Sequence, residues 1–185
     1  LRVKLATSLD GRSALASGDS KWISSEAARR DVQKWRARAG AILTGAGTVL
    51  IDDPHLTVRL GDDTPFVPPL RVVLDPGLTT VARGHIREGG APTLYISAPD
   101  ARMPRGVEAD HAAVPVVAGR FDLPAVLALL AERGINDVQV EAGATLVRID
   151  PRDYQIAVDR ARAELADAEA TAKAAAASVA VTSTS

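Results

Sequence analysis

Apolar and polar residues alternate from Leu1 to Thr7, which predicts a strand. Ser8 to Asp19 contains Asp10-Gly11 and Gly18-Asp19 and reads as a loop or hairpin region. Ser24-Ser25-Glu26 then opens a run rich in Ala, Arg and Glu, and a helix is expected from about Ser25 to Arg38. On that helix Ala28, Val32 and Trp35 share one face, and Gly40 ends it. Short apolar runs at Ala41–Thr44, Arg71–Leu74, Thr93–Ser97 and Val138–Val140 predict buried strands, with a fifth at Val114–Val117. Asp52-Asp53-Pro54 and Asp75-Pro76-Gly77 read as turns. Leu123 to Arg133 carries apolar residues at Leu123, Val126, Leu127 and Leu130, which predicts a second helix closed by Gly134.

Strands alternating with helices indicate an α/β domain with a largely parallel sheet and flanking helices. Ligands of such sheets sit beyond the carboxyl ends of the strands. Two glycine-bearing segments fall there, Gly45-Ala46-Gly47-Thr48 and Glu141-Ala142-Gly143-Ala144-Thr145. The first lacks the third glycine of a dinucleotide fingerprint, because position 50 is Leu, so by itself it is as consistent with a tight turn. Glu141, just past an apolar strand, is either a sheet-end site carboxylate or an exposed one.

The texture changes after residue 146. Arg148 to Ser178 has no glycine, only one proline, Pro151, and abundant Ala. Tyr154, Val158, Ala161, Leu165, Ala168, Ala172 and Ala175 form a heptad stripe. Asp150 suits the cap and Pro151 the first position of a helix that, to Ala177, would run about 40 Å. The expected division is an α/β domain over 1–146 and a protruding Ala-rich helix of different origin over 147–185.

The chain of 185 residues has a formal charge of −1, with acidic and basic residues interspersed, so no nucleic-acid surface is indicated. With no cysteine, disulfide scaffolds and thiolate metal sites are excluded. His55, His85 and His111 are scattered without metal-ligand spacing, so no metal is expected. No stretch is apolar and long enough for a membrane span.

The order of the segments is more specific than any one of them. Lys4-Leu5-Ala6-Thr7-Ser8-Leu9-Asp10-Gly11-Arg12, Ser17-Gly18-Asp19-Ser20-Lys21-Trp22-Ile23 and Ala28-Arg29-Arg30-Asp31-Val32 with Arg36-Ala37 are similar to the start of the riboflavin-biosynthesis reductase domain. The likeness continues through Ala41-Ile42-Leu43-Thr44-Gly45-Ala46-Gly47-Thr48-Val49, Asp52-Asp53-Pro54-His55-Leu56-Thr57-Val58-Arg59 and Leu70-Arg71-Val72-Val73-Leu74-Asp75. It ends in Arg133-Gly134-Ile135-Asn136 and Val140-Glu141-Ala142-Gly143-Ala144-Thr145-Leu146. The resemblance implies a dihydrofolate-reductase-like α/β fold, C-terminally truncated here. It also implies an oxidoreductase in which NADPH reduces the ribosylamino chain of 5-amino-6-(5-phosphoribosylamino)uracil to a ribitylamino chain. Ala6, Trp22, Thr48, Asp52, Gly143, Ala144, Thr145 and Leu146 then match cofactor-contacting positions. Ser20, Arg36, Leu56, Arg59 and Glu141 match substrate-contacting ones, the two arginines being suited to the substrate's phosphate. The catalytic proton donor stays unassigned. A cytoplasmic location, a homodimer and a deaminase domain preceding Leu1 accompany the resemblance.

Val147-Arg148-Ile149-Asp150-Pro151-Arg152-Asp153-Tyr154-Gln155 departs from that family and resembles the coiled-coil entry of periplasmic adaptors, or membrane fusion proteins. The junction reads as a fusion. The alternative reading is a non-enzymatic protein whose coiled-coil helix mediates interaction or oligomerisation on a relic α/β domain.

Overall fold

The computed structural model describes residues 1–7 and 24–141. Its elements, in chain order, are β1 (Arg2–Lys4), α1 (Glu26–Arg38), β2 (Ala41–Gly45), α2 (Ala46–Asp52), β3 (Leu70–Leu74), a 3-10 helix (His85–Arg87), β4 (Thr93–Ser97), β5 (Asp110–Ala113), β6 (Val116–Val117), β7 (Arg120–Phe121), α3 (Leu123–Glu132) and β8 (Val138–Glu141). The expected loop at 8–19, the residues Ser20, Trp22 and Gly143 to Leu146, and the expected helix beyond residue 147 lie outside the described residues.

Six strands form one sheet in the order β1-β8-β2-β3-β4-β5, with every pairing parallel. The period of two in strand side chains divides the core cleanly. Ala41, Leu43, Val72, Leu74, Leu94 and Ile96 face one way and pack with Val126 and Leu130 of α3. Ile42, Val73 and Tyr95, the residues between them, face the other way and pack with Val49 of α2, Leu56, Leu78, Val81 and Ile86. All five residues of β2 are buried, as expected of a parallel strand covered on both faces.

Both long helices carry side-chain caps, that of α1 in the Ser24-Ser25-Glu26 run that predicted its start. The Ser25 hydroxyl accepts the Ala28 N–H at 3.2 Å, with Glu26 in the first turn and Arg36 and Arg38 in the last, favourable ends for the helix dipole. Asp122 caps α3, and Gly134, at φ 80°, receives the chain where the helix ends.

Two expectations are corrected. The fifth strand of the sheet is Asp110–Ala113, not Val114–Val117. Val116–Val117 instead forms a two-residue antiparallel pair with Arg120–Phe121, because Gly119, at φ 74°, turns the chain back on itself. The glycine segment after β2 is not a tight turn but the first turn of α2, whose end is set by Asp53 in the left-handed region at φ 41°.

Candidate active site

Parallel pairing puts the carboxyl ends of β1, β8 and β2 at the same edge of the sheet. Register sets Lys4 of β1 beside Glu141 of β8 and Leu43 of β2 beside Val140. α1 lies against this edge, and between them opens a cleft of about 530 Å³ lined by Lys4, Ala6, Gln33, Arg36, Arg59 and Glu141 among others.

Glu141 is the centre of its polar network. As the last residue of β8 it is 7% exposed. Arg36 reaches in from the last turn of α1 and grips both carboxylate oxygens, Nε to Oε1 at 2.7 Å and Nη2 to Oε2 at 2.6 Å. The third guanidinium nitrogen donates to the Thr57 carbonyl at 2.9 Å, tying the segment after α2 to the pair. Gln139, two residues back on β8 and buried, donates from Nε2 to Oε1 at 2.7 Å. The Thr44 hydroxyl of β2 donates to the Glu141 carbonyl at 2.8 Å. Burial pushes the Glu141 carboxyl upward, but the Arg36 hydrogen bonds and charge, the Gln139 amide and the nearby Lys4 ammonium outweigh it and hold the group below the usual carboxylate range. The site therefore contains a fixed carboxylate anion.

The fork of Arg36 is thus occupied by Glu141 and Thr57, which leaves Arg59 as the more available guanidinium. Its backbone N–H donates to Gln33 Oε1 at 2.8 Å, anchoring the segment, while its exposed side chain borders the cleft. Of the positions singled out from the sequence, Ala6, Arg36, Arg59 and Glu141 come together in this cleft. Leu56 does not present its side chain there. At φ 48° it turns its side chain into the core beside Ile42 and Val49, and it backs a second cleft of about 300 Å³ with Phe66 and Pro68. Thr48 and Asp52 stand on α2, half-buried and exposed respectively. A Cβ added at Gly47 on the same helix would meet nothing within 4 Å.

Sequence reasoning missed Lys4, Gln33, Thr57 and Gln139 as members of this network. Lys4 and Gln139 were legible only as strand positions; sheet register brings Lys4 beside Glu141, and the period of two along β8 puts Gln139 on the same face as Glu141. The histidines also need correcting. They are scattered in sequence, but the rings of His55 and His85 lie 4.5 Å apart, centroid to centroid.

The family model for the RibD C-terminal domain matches residues 1–149. The chain belongs to that family. Its fold is accordingly the dihydrofolate-reductase-like α/β fold, with a parallel sheet and flanking helices. Among relatives of this domain, the riboflavin biosynthesis protein RibD of Bacillus amyloliquefaciens is 42% identical over 148 residues, covering 78% of this chain and 39% of the relative. The RibD of Escherichia coli K12 is 39% identical over 158 residues, covering 79% and 42%. The crystal structure of a diaminohydroxyphosphoribosylaminopyrimidine deaminase/5-amino-6-(5-phosphoribosylamino)uracil reductase from Thermotoga maritima superposes with a TM-score of 0.63 at 32% identity, covering 83% of this chain and 41% of that one. The chain thus spans about two fifths of the length of these RibD proteins. The family match ends at residue 149, and the comparisons lend no support to the adaptor resemblance of the segment beyond. No helix among the described residues is long and apolar enough to cross a membrane.

Proposed function

We propose that the chain is the reductase part of a RibD-type enzyme. In this reading it uses NADPH to reduce the ribosylamino chain of 5-amino-6-(5-phosphoribosylamino)uracil to the ribitylamino product in the cytoplasm. The observation that carries the reading is the fixed Glu141 carboxylate at the carboxyl end of a parallel strand, held by Arg36 and Gln139 in a cleft bordered by Lys4 and Arg59. An acceptor-only group suits the N–H donors of an aminouracil or the hydroxyls of a sugar chain. Lys4 and Arg59 suit the substrate's phosphate. Arg36 serves the substrate indirectly, by orienting and ionising Glu141.

The described residues are compatible with the cofactor. Ala6 leaves the cleft wall small beside the sheet edge, and the open surface over Gly47 lets a ligand approach the backbone. Ala6, Thr48 and Asp52 would hold it, with Trp22 and Gly143 to Leu146 completing the set by resemblance. The cofactor supplies a hydride. The chain's own task is positioning: it must hold the anomeric carbon in line and keep the uracil and phosphate ends fixed. A proton must also reach the oxygen released as the sugar ring opens. A homodimer and a preceding deaminase domain belong to the same reading. The interaction-protein alternative rests on residues outside the described part of the chain, and no comparison favours it.

The test is turnover by the purified chain with NADPH and the phosphoribosylaminouracil, followed by nicotinamide absorbance and by mass of the ribitylamino product. Saturable turnover that falls at least a hundredfold in Glu141→Gln supports the reading. NADPH binding without turnover, or no binding at all in a folded chain, overturns it for this chain.

A further inference from the structure

Outside the cleft lining, the structure gathers a second chemical cluster of His55, His85 and Glu88. His85 opens the 3-10 helix and Glu88 caps it, a spacing of three that stacks both on one side of such a helix. His55 arrives from the segment after α2. One ligand atom from each of His55, His85 and Glu88 lies within 4.8 Å of the other two. The imidazole rings are tilted by 34°.

The backbone that presents these side chains is fixed twice over. Arg71, 2% exposed on β3, donates from Nη1 to the carbonyls of both His55 (3.1 Å) and Glu88 (2.9 Å), and from Nη2 to Ala91 (2.6 Å). Asp53 grips His85 through both oxygens, Oδ1 accepting its backbone N–H at 2.8 Å and Oδ2 standing 2.8 Å from Nδ1. That approach depends on Gly84, at φ 86°, because a Cβ there would stand 2.7 Å from Asp53 Oδ1.

We propose that His55, His85 and Glu88 form a binding site for a divalent transition-metal ion, with Zn2+ the best-suited ion. Two neutral imidazoles and a carboxylate are a three-ligand zinc set, and water completes the tetrahedron. A proton on Nδ1 of His85, donated to Asp53, leaves Nε2 as the metal ligand. This is the carboxylate–histidine arrangement that commonly supports such sites. Bonds of about 2.0–2.2 Å put neighbouring ligand atoms roughly 3.3 Å apart in a tetrahedron, so these partly exposed side chains need only turn inward on fixed backbones. A pair of surface imidazoles, one of them held by an aspartate, is the simpler description of this cluster. It does not account for a carboxylate on the same side, or for one buried arginine anchoring two of the three presenting residues. The ion would clip the 53–59 segment to the 3-10 helix. That segment also carries Thr57, whose carbonyl accepts from Arg36, and Arg59, so occupancy steadies one wall of the cleft. Metal binding itself does not depend on the reductase reading.

Calorimetric titration of chelator-treated protein with Zn2+ at neutral pH tests the site. One ion per chain is expected. Affinity should fall at least tenfold in His55→Ala and in Glu88→Gln, both of which keep the Asp53–His85 grip. It should stay unchanged in His111→Ala, which removes the remaining histidine. Mg2+, an oxygen-preferring ion, should not compete. Zn2+ should also raise the Tm of the parent protein and not that of Glu88→Gln. His55→Gln substitutes if His55→Ala fails to fold. No saturable binding, or equal affinity in the parent, Glu88→Gln and the His55 variants, overturns the site. An equal loss in His111→Ala does so as well.

Discussion

Arg36 and Glu141 meet in a two-bond fork, 2.7 and 2.6 Å, although they stand at the end of the first helix and the end of the last described strand. The pair is mostly buried, its side chains 12% and 9% exposed. Removing one partner from such a pair leaves the other charge desolvated and unpaired. Arg36→Ala should therefore lower the unfolding free energy by about 3 kcal/mol. The double variant Arg36→Met/Glu141→Met should lose less than Arg36→Ala alone. Urea unfolding of the three proteins checks this, and equal losses would mean the pair adds nothing beyond packing.

Glu141 also sets an acid limit. Its carboxyl is held below the ordinary value, so the folded state binds its proton less readily than the unfolded chain does. The resulting stability is fully present above the unfolded-state value, about 4.3. It is lost as pH falls through the lower folded-state value. The stability difference between the parent and Glu141→Gln should be constant near neutrality and shrink only below about pH 4. Thermal unfolding across an acid series reads it. A difference that shrinks already above pH 6 would show that the carboxyl is raised instead.

Arg59 offers a separation of binding from folding. Its side chain is exposed, so Arg59→Ala should change stability by no more than about 0.5 kcal/mol. In the reductase reading it should raise KM or lower kcat/KM for the phosphorylated pyrimidine at least tenfold, with the NADPH Kd unchanged. The loss should shrink at high salt, as expected of a screened charge. A loss of cofactor affinity of the same size would assign Arg59 to the other ligand.

Gly47 and Gly84 make opposite predictions. Gly47 lies in α2 with open space where a Cβ would go, so Gly47→Ala should stabilise the fold by about 0.5–1 kcal/mol. The same substitution should weaken NADPH at least fivefold if backbone and ligand meet there. Unchanged affinity with raised Tm would free this glycine of any cofactor role. Gly84 has a positive φ and Asp53 against its α-carbon, so Gly84→Ala should destabilise by about 1–2 kcal/mol. It should also weaken Zn2+ in the same titration that tests His55 and Glu88.

The sequence by itself determined the elements whose causes are local. Ser25 marks a helix start because its side chain caps an N–H group of the first turn, and the apolar spacing from Leu123 to Leu130 marks the other helix because it repeats with the helical turn. Apolar runs such as Thr93–Ser97 mark strands because a covered parallel sheet is apolar on both faces. The ordered motifs from Lys4 to Leu146 carried the family, because spacing along one chain needs no third dimension to be read. Glu141 was visible as a strand-end carboxylate, but its state was not. Whether it was exposed or fixed depended on Lys4, set beside it by β8 pairing with β1, on Arg36, brought in by the packing of α1, and on Gln139, which shares its face of β8. Tertiary structure decided three further points. Leu56 turns into the core, Arg36 serves Glu141 before any ligand, and His55 meets His85. Each depends on distances between residues remote in sequence, where hydrophobic period and turn chemistry are silent. Such distances are set only when the sheet closes and buried groups such as Arg71 find their hydrogen-bond partners.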